Sequence, residues 1–227
     1  MTLTAMSTTA HAPDIDALAR EDARRLRREL RRRRAALSDA RLAEHNRAIS
    51  GHLLKWLERW QPRCIGAYRG LRGEVDLTAL TCALARRDTR IALPVMDTRR
   101  NGRMHFHEWH PEDRLCHNGF GIAEPCPGAP RVWRREMQVV LMPLVAFDRH
   151  GNRMGMGAGY YDRYFARRRF GIRRPRLIGV AHGLQQVEAL PVQPWDVPLD
   201  AVVTETGWHV FPRHGQATAT LQTPDND

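Results

Sequence analysis

The stretch Met142-Pro-Leu-Val-Ala-Phe-Asp-Arg-His-Gly-Asn-Arg-Met-Gly-Met-Gly-Ala-Gly-Tyr-Tyr-Asp-Arg-Tyr164 joins the end of a strand, a chain reversal and a glycine-rich loop within the length of one supersecondary unit. The residues that lead into it, Val139-Val-Leu-Met142, are apolar and β-branched enough for a buried strand. His150-Gly-Asn152 is a turn signal, because glycine and asparagine tolerate the backbone angles of tight turns. The stretch therefore predicts a buried strand that reverses into a loop.

Glycines stand at every second position of that loop, at Gly155, Gly157 and Gly159, and the polar aromatic segment Tyr160-Tyr-Asp-Arg163 follows at once. A backbone without side chains lets consecutive N–H groups approach an anion, and a helix beginning at residue 160 adds its positive end. The tyrosines can wall a flat ligand, and Asp162 can hold a hydrated Mg²⁺. The pattern predicts a nucleotide-phosphate site with an attached metal ligand.

This loop differs from the common phosphate-binding loops. No lysine follows the glycines, as Gly-x-x-x-x-Gly-Lys-Ser/Thr requires, and the spacing is not Gly-x-Gly-x-x-Gly. The alternative is a tight hairpin whose glycines only relieve backbone strain. The flanking Arg153 and Tyr160–Asp162 favour the phosphate site over that alternative.

Length and composition fit one domain, since 227 residues with 42% apolar content can bury a packed core. No run of about 18 apolar residues exists, and the N-terminus lacks the basic and apolar regions of a secretory signal, so we expect no membrane association. We expect disordered tails at residues 1–13 and 213–227, which are small, polar and without pattern, and a single domain at 14–212.

Hydrophobic periodicity predicts alternating strands and helices. Ser38 is a predicted N-cap between two long helices, and Pro62 is predicted to end the second. The predicted helices are 14–37, 38–60, a helix capped by Asp76 that runs through Leu84, and 160–170; the predicted strands are 64–68, 90–95, 103–109, 138–145, 176–181, 201–204 and 208–211. Strand–helix–strand alternation indicates an α/β fold, with a mostly parallel sheet flanked by helices in three layers.

The cysteines have no Cys-x-x-Cys pair, and Cys64 and Cys82 stand in apolar contexts where buried, reduced thiols are expected. This usage fits a reducing compartment, and we expect a cytoplasmic protein. His105 and His107 share one face of a predicted strand close to Cys116. Because no pair has a usual structural-zinc spacing, a zinc site there is not favoured.

The net charge of +11 is concentrated in two arginine patches. Residues 20–41 contribute +6 and residues 163–176 contribute +7. The patches could bind nucleic acid, attract small polyanions, or be solvated helix faces. Ala23, Leu26 and Leu30 recur on one side of the first patch, as on an amphipathic helix, and no aromatic residues interleave with the arginines. Nucleic acid is therefore not an expected partner.

The glycine–tyrosine stretch resembles the signature of the 5-formyltetrahydrofolate cyclo-ligase (5,10-methenyltetrahydrofolate synthetase) family, and the similarity covers about residues 20 to 208. The signature residues are Ala146-Phe-Asp148 and Gly151-x-Arg153-x-Gly155-x-Gly157-x-Gly159-Tyr-Tyr-Asp162-Arg163. Weaker similarities include Tyr68, Gly73-Glu74-Val-Asp76, Leu93-Pro94-Val95, Met104-x-Phe106, Gly121-Ile-Ala-Glu124-Pro125, Ile178-Gly-Val-Ala-His182, Gln185, Leu190-Pro191, Trp195-Asp196-Val-Pro-Leu-Asp200 and Val202-Val-Thr204.

The resemblance implies an ATP- and Mg²⁺-dependent enzyme that cyclises 5-formyltetrahydrofolate to 5,10-methenyltetrahydrofolate through a phosphorylated formyl group, releasing ADP and phosphate. It implies catalytic roles for Arg153, Tyr161 and Asp162, metal ligation by Asp162 and Asp196, and folate contacts from Glu74 and Tyr161. Arg69, five residues before Glu74, is a further candidate for a folate contact. The implied ATP contacts are Arg24, Arg27, Arg153, Met154, Gly155, Met156, Gly157, Ala158, Gly159, Tyr160 and Tyr161.

The chain departs from the family pattern in its first helix. Many members carry a lysine four residues before the arginine at position 27, where this chain has Ala23; Arg24 or Arg20 is the neighbouring candidate for that charge. Met156 also occupies a position that is often arginine. The alternatives are a diverged folate- or nucleotide-binding protein without turnover, and an RNA-binding protein that uses the arginine patches. Otherwise we expect a monomer with small-molecule substrates only.

Overall fold

The computed structural model describes residues 15–71, 73–97, 102–166 and 175–212, with side chains from residue 20 onward. The helices are α1 (Ile15–Ala35), α2 (Asp39–Trp60), α3 (Thr78–Ala85) and α4 (Tyr160–Phe165). The strands are β1 (Cys64–Gly66), β2 (Arg90–Asp97), β3 (Arg103–Trp109), β4 (Leu115–His117), β5 (Ala123–Pro125), β6 (Arg131–Val132), β7 (Val139–Pro143), β8 (Ala146–Phe147), β9 (Arg153–Met154), β10 (Arg176–Val180), β11 (Ala201–Thr204) and β12 (Gly207–Val210).

One eight-stranded sheet organises the described part of the chain, in the order β12-β11-β10-β7-β1-β2-β3-β6. The five central strands, from β11 to β2, pair in parallel, whereas β12, β3 and β6 join antiparallel at the two edges. Parallel strands need crossover connections, which place helices on the sheet faces. The carboxyl ends of β1, β7, β10 and β11 therefore meet at one edge of the sheet.

Alternate residues of the central strands face two separate apolar cores. On one side, Ile65 and Leu141 pack with Leu53 and Trp56 of α2 and with α3. On the other side, the neighbouring strand residues pack with Phe165 of α4. The predicted α/β fold with a mostly parallel sheet, helices on both faces and a single domain is confirmed.

The first two helices are separated as their sequence predicts. The Ser38 hydroxyl oxygen accepts a hydrogen bond from the Arg41 N–H at 3.3 Å, which satisfies one free donor of the first turn of α2. Gln61 takes a left-handed conformation, and Pro62 follows it. The helix before Ser38 ends at Ala35, near the predicted residue 37.

The main strands lie close to their predicted positions, but the short ones do not follow from periodicity. The predicted segments 103–109 and 201–204 are strands with those bounds. The hairpin of β4 and β5 and the two-residue strands β6, β8 and β9 were not predicted. Helix α4 is described only to Phe165, and residues 167–174 of the predicted helix and of the second arginine patch lie outside the described residues, as do both predicted tails.

Cys116 and Cys126 form a disulfide across the ends of the β4–β5 hairpin, a pairing that the sequence analysis did not predict. Cys64 and Cys82 are free thiols, as expected, and burial raises the pKa of Cys64 to about 11. Structural disulfides are more typical of oxidising compartments, so cysteine usage no longer supports the predicted cytoplasmic location. Within the described helices, none is both long and apolar enough to span a membrane.

Most arginines of the first patch lie on an exposed helix face, although Arg27 and Arg34 face the rest of the protein, and Glu29 neutralises part of the charge. Glu29 accepts hydrogen bonds from Arg32 at 2.9 Å and from Arg33 at 2.8 Å, and the arginine side chains are 78% and 61% exposed. This geometry agrees with a solvated face of an amphipathic helix.

We predict that Gly179→Ala destabilises the fold while Gly51→Ala stabilises it. A Cβ at Gly179 would lie 2.7–2.8 Å from side-chain atoms of Leu144, Leu199 and Val202, which are all buried. Such overpacking costs about 1–3 kcal/mol. A Cβ at the exposed Gly51 of α2 meets nothing within 4 Å, and alanine favours a helix by about 1 kcal/mol over glycine.

Urea unfolding followed by circular dichroism would measure both changes. The midpoint should fall for Gly179→Ala and rise for Gly51→Ala. Equal midpoints for Gly179→Ala and the wild type would mean that β10 does not pack against Leu144 and Leu199 as described.

Candidate active site

A cleft lies at the carboxyl edge of the sheet, where ligands of open α/β folds bind; its volume is about 810 Å³ when the open solvent at its mouth is included. Tyr68 and Leu144 reach it from the ends of β1 and β7, and Met96 reaches it from β2. The glycine loop and α4 form its other side. The cleft therefore brings together both halves of the sequence.

The glycine loop contains backbone conformations that favour glycine. Gly157 has φ +103° and Gly159 has φ +65°, backbone conformations that residues other than glycine rarely adopt. Gly159 stands immediately before α4. Within the described chain, no backbone N–H of residues 155–159 donates a hydrogen bond to another protein atom. These five donors are thus without a protein acceptor in the described part of the chain.

Helix α1 brings one of its two predicted nucleotide-binding arginines to this loop. The Arg27 Nε–H donates a hydrogen bond to the Gly155 carbonyl at 3.0 Å, and a Cβ at Gly157 would lie 3.9 Å from the guanidinium carbon. Arg24 is exposed on the same helix. Ala23 packs against the apolar cluster of Leu30, Val145, Ala146, Met154 and Leu190. The structure thus brings Arg27, rather than Arg24, to the loop.

Arg153 and Asp162 form a nearly buried ion pair beside the loop. Arg153 Nη2 lies 2.6 Å from Asp162 Oδ1, and the side chains are 5% and 18% exposed. Arg153 Nε is buried with no partner among the described residues. A buried polar atom without a partner is unfavourable, so a ligand oxygen in the cleft would satisfy it.

Asp196 lies close to this pair. The Val197 N–H donates to Asp162 Oδ1 at 3.2 Å, which holds the turn that carries Asp196 next to Asp162. Burial raises the pKa of Asp196, and the neighbouring Asp162 charge adds to that effect, although a hydrogen bond from the Gln193 N–H acts in the opposite direction. Two carboxylates close together suit a hard cation such as Mg²⁺. The donor set therefore fits the implied metal.

Glu74 lies in the floor of the cleft, held by an arginine that the sequence analysis did not single out. Arg34 Nη2 of α1 lies 3.3 Å from Glu74 Oε1, with side chains 5% and 7% exposed. The second oxygen accepts from the Leu71 N–H at 3.0 Å. Arg34 stands four residues after the apolar Leu30, on the packed side of α1; this position is the signal that could have identified it.

Aromatic rings complete the walls. The Tyr68 hydroxyl donates to the Val75 carbonyl at 3.0 Å, and burial raises its pKa. Burial also raises the pKa of the Tyr161 hydroxyl, and the Glu74 charge adds to this. Both hydroxyls stay protonated at neutral pH and can donate hydrogen bonds. These walls suit a flat ligand with polar edges.

Arg69 is fixed within the cleft wall. Its guanidinium lies 4.3 Å above the ring of Trp109, and Nη1 donates to the Thr78 hydroxyl at 2.6 Å. Its Nε is buried without a partner in the described part of the protein. One polar group of Arg69 is therefore still available for a ligand.

The structure brings most of the predicted residues together. Ten of them line the cleft: Arg69, Glu74, Arg153, Gly155, Met156, Ala158, Gly159, Tyr160, Tyr161 and Asp162. Arg27, Gly157 and Asp196 adjoin it through the contacts above. The exceptions are Met154, whose side chain is buried in an apolar cluster, and the exposed Arg24. The sequence analysis did not assign Arg34, nor several apolar residues of the cleft lining, such as Met96 and Ile122, which are ordinary apolar strand and loop residues by pattern.

Comparison with known proteins agrees with this geometry. Residues 19–205 match the model of the 5-formyltetrahydrofolate cyclo-ligase family. The 5-formyltetrahydrofolate cyclo-ligase of Haemophilus influenzae is 34% identical over 77% of this chain and 92% of its own length. The enzyme of that name from Escherichia coli K12 is 34% identical over 77% of this chain and 96% of its own.

A solved structure leads to the same family. The 5,10-methenyltetrahydrofolate synthetase of Aquifex aeolicus is 30% identical, and the match covers 87% of this chain and 96% of that chain with a TM-score of 0.70. The enzyme class predicted from the sequence, an ATP-dependent ligase, is the class of this family. The chain therefore belongs to the 5-formyltetrahydrofolate cyclo-ligase family.

Proposed function

We propose that this chain uses ATP to cyclise 5-formyltetrahydrofolate to 5,10-methenyltetrahydrofolate, with release of ADP and phosphate. The observation that carries the proposal is one cleft that joins a loop of five available N–H donors to a buried carboxylate and aromatic walls. The loop suits phosphates, and the opposite floor suits a flat, polar-edged pterin.

The proposed reaction has two steps. The formyl oxygen attacks the γ-phosphorus of ATP, and the bond from that phosphorus to the bridging oxygen breaks, so that ADP leaves with the electron pair. Nitrogen-10 of the folate then attacks the formyl carbon, its proton is lost, and the carbon–oxygen bond to phosphate breaks. Phosphorylation is needed because the oxygen of a formamide is a poor leaving group. The protein contributes positioning and charge neutralisation.

Residues on the loop side have defined roles in this proposal. The backbone N–H groups of Gly155–Gly159 hold phosphate oxygens, and Arg153 balances developing negative charge with its unpartnered Nε and its remaining donors. Arg27 fixes the loop through the Gly155 carbonyl. Tyr161 lies between the loop and Glu74, where the two substrates must meet.

Glu74 accepts hydrogen bonds from the amino-pyrimidine edge of the folate in this proposal. Its pairing with Arg34 holds the buried carboxylate in a fixed orientation. Arg69 is positioned beside it by Trp109 and Thr78. All of these groups come from one chain, so the proposal requires no second copy.

Asp162 and Asp196 would hold Mg²⁺ with their carboxylate oxygens. When bound, the ion would offset phosphate charge, as magnesium does in other phosphoryl-transfer sites. Asp162 also keeps Arg153 in place through the 2.6 Å ion pair. Its replacement would therefore disturb both groups, which makes Asp196 the cleaner position for a test.

The proposal is tested by mixing the purified protein with ATP, Mg²⁺ and 5-formyltetrahydrofolate and following the near-UV absorbance of the methenyl product. We expect an increase that requires all three additions. ATP binding without any increase would instead indicate a diverged binding protein. RNA affinity that falls steeply with salt would then support the nucleic-acid alternative.

We predict that Asp196→Asn raises the Mg²⁺ concentration for half-maximal activity by about tenfold or more, because loss of one charged ligand weakens an oxygen site. Asp113→Asn is the matched control. In both turns the aspartate accepts at 2.8 Å from the N–H three residues earlier, of Gln193 and His110 respectively. Activity in a Mg²⁺ titration would be measured for both; identical curves for the two variants would remove Asp196 from the metal site.

We predict that Gly157→Val abolishes ATP binding, because the side chain blocks the approach of phosphate to the backbone. Gly128→Val controls for backbone strain, since Gly128 has φ +101°, close to the +103° of Gly157, and is also exposed. Both variants should lose about 1–3 kcal/mol of stability, but only Gly157→Val should lose ATP. Titration calorimetry with ATP and Mg²⁺ would show this, and wild-type affinity in Gly157→Val would refute the phosphate-loop argument.

A further inference from the structure

Two histidines and a glutamate meet behind the floor of the cleft. His45 comes from α2, His182 follows β10 and Glu205 follows β11. Their candidate ligand atoms all lie within 4.8 Å of one another, the only such group of three among the described residues. His45 Nδ1 lies 3.0 Å from His182 Nδ1 and 3.6 Å from Glu205 Oε2.

The tautomer of His182 is fixed by its other ring nitrogen. His182 Nε2 lies 3.1 Å from the Gly73 carbonyl, which can only accept a hydrogen bond, so Nε2 carries the proton. In that tautomer His182 Nδ1 carries a lone pair, and it lies 3.0 Å from His45 Nδ1. Metal-binding histidines are commonly oriented by such a bond to a carbonyl.

The Glu205 carboxylate, like the His182 ring, is oriented by a hydrogen bond to the backbone. Both oxygens of Glu205 lie within hydrogen-bond distance of the Gly183 N–H, at 3.1 and 2.9 Å. A Cβ at residue 183 would lie 2.9 Å from Glu205 Oε1, so glycine is what permits this approach. The Glu205 side chain is 20% exposed, which leaves a route from solvent.

We propose that His45, His182 and Glu205 form a binding site for a divalent transition-metal ion of the zinc class. Zinc–ligand bonds of about 2.0–2.1 Å in a tetrahedron place neighbouring donors about 3.3 Å apart, close to the 3.0 and 3.6 Å observed. Imidazole nitrogens favour zinc over magnesium, which prefers oxygen ligands. Water would occupy the fourth position.

The site would join three elements to the loop that carries Glu74. His182 donates to the carbonyl of Gly73, the residue directly before Glu74. None of its three ligands belongs to the residues assigned to ATP, folate or magnesium. Failure of this proposal and failure of the proposed cyclisation are therefore independent results.

The competing arrangement is a hydrogen-bonded histidine pair in which His45 carries a proton on Nδ1 and no metal binds. Titration of the chelator-treated full chain with Co²⁺ distinguishes the two, because ligated Co²⁺ has visible absorption bands. We expect one equivalent of Co²⁺ to bind with visible bands, and Zn²⁺ to displace it. The absence of bands would overturn the proposal in favour of the histidine pair.

Variants assign the binding to these ligands. Glu205→Gln and His45→Gln should each weaken Co²⁺ binding by about a hundredfold or more, since loss of an outer hydrogen-bond partner alone costs about 10- to 100-fold. His105→Ala, in the unrelated histidine group of β3, should leave binding unchanged. Wild-type binding in both glutamine variants, or its loss in His105→Ala, would overturn the assignment.

A further variant keeps the test decisive if a ligand replacement fails to fold. Gly183→Ala retains all three ligands but pushes against the Glu205 carboxylate, so it should fold and bind Co²⁺ more weakly. Melting temperature with and without Zn²⁺ gives a second readout, because a bound ion stabilises the folded state. An unchanged Co²⁺ affinity in Gly183→Ala would contradict the role of Glu205.

Discussion

The buried ion pair of Arg34 and Glu74 joins parts of the molecule that are otherwise separate. Arg34 belongs to the first helix, Glu74 to the loop after β1, and Arg34 Nη1 also reaches the Leu144 carbonyl after β7 at 3.4 Å. Leaving one member of such a pair alone in the interior costs about 3–5 kcal/mol. Helix α1 therefore supports the cleft from outside its lining, and the position of Glu74 depends on it.

Much of the fold could be predicted from the sequence because local patterns and tertiary packing agree along the central strands. Strands such as 201–204 are buried on both faces, so their apolar runs are long enough to recognise. The two-residue strands β8 and β9 are too short to show any period. The disulfide between Cys116 and Cys126 depends on a hairpin register that composition does not encode.

Some residues of the candidate site could likewise be predicted from the sequence, and others could not. The glycine loop is contiguous, so its chemistry could be predicted directly from residue types and spacing. The proximity of Asp196 to Asp162 depends on how two distant segments fold, and only the family resemblance suggested it. Arg34 was hidden within a run of arginines in which charge alone does not distinguish a buried member from its exposed neighbours, and only its position relative to Leu30 does so.

One face of α1 carries both Arg27 and Arg34, two helical turns apart. The first contacts the loop proposed for the nucleotide, and the second orients the carboxylate proposed for the folate. A rigid helix cannot move at one of these positions without moving at the other. Any shift of α1 on binding one substrate would thus change the affinity for the second, and linkage requires the coupling to be reciprocal and equal in size. The proposed binding of the two substrates would then be coupled through α1, without direct contact between the substrates.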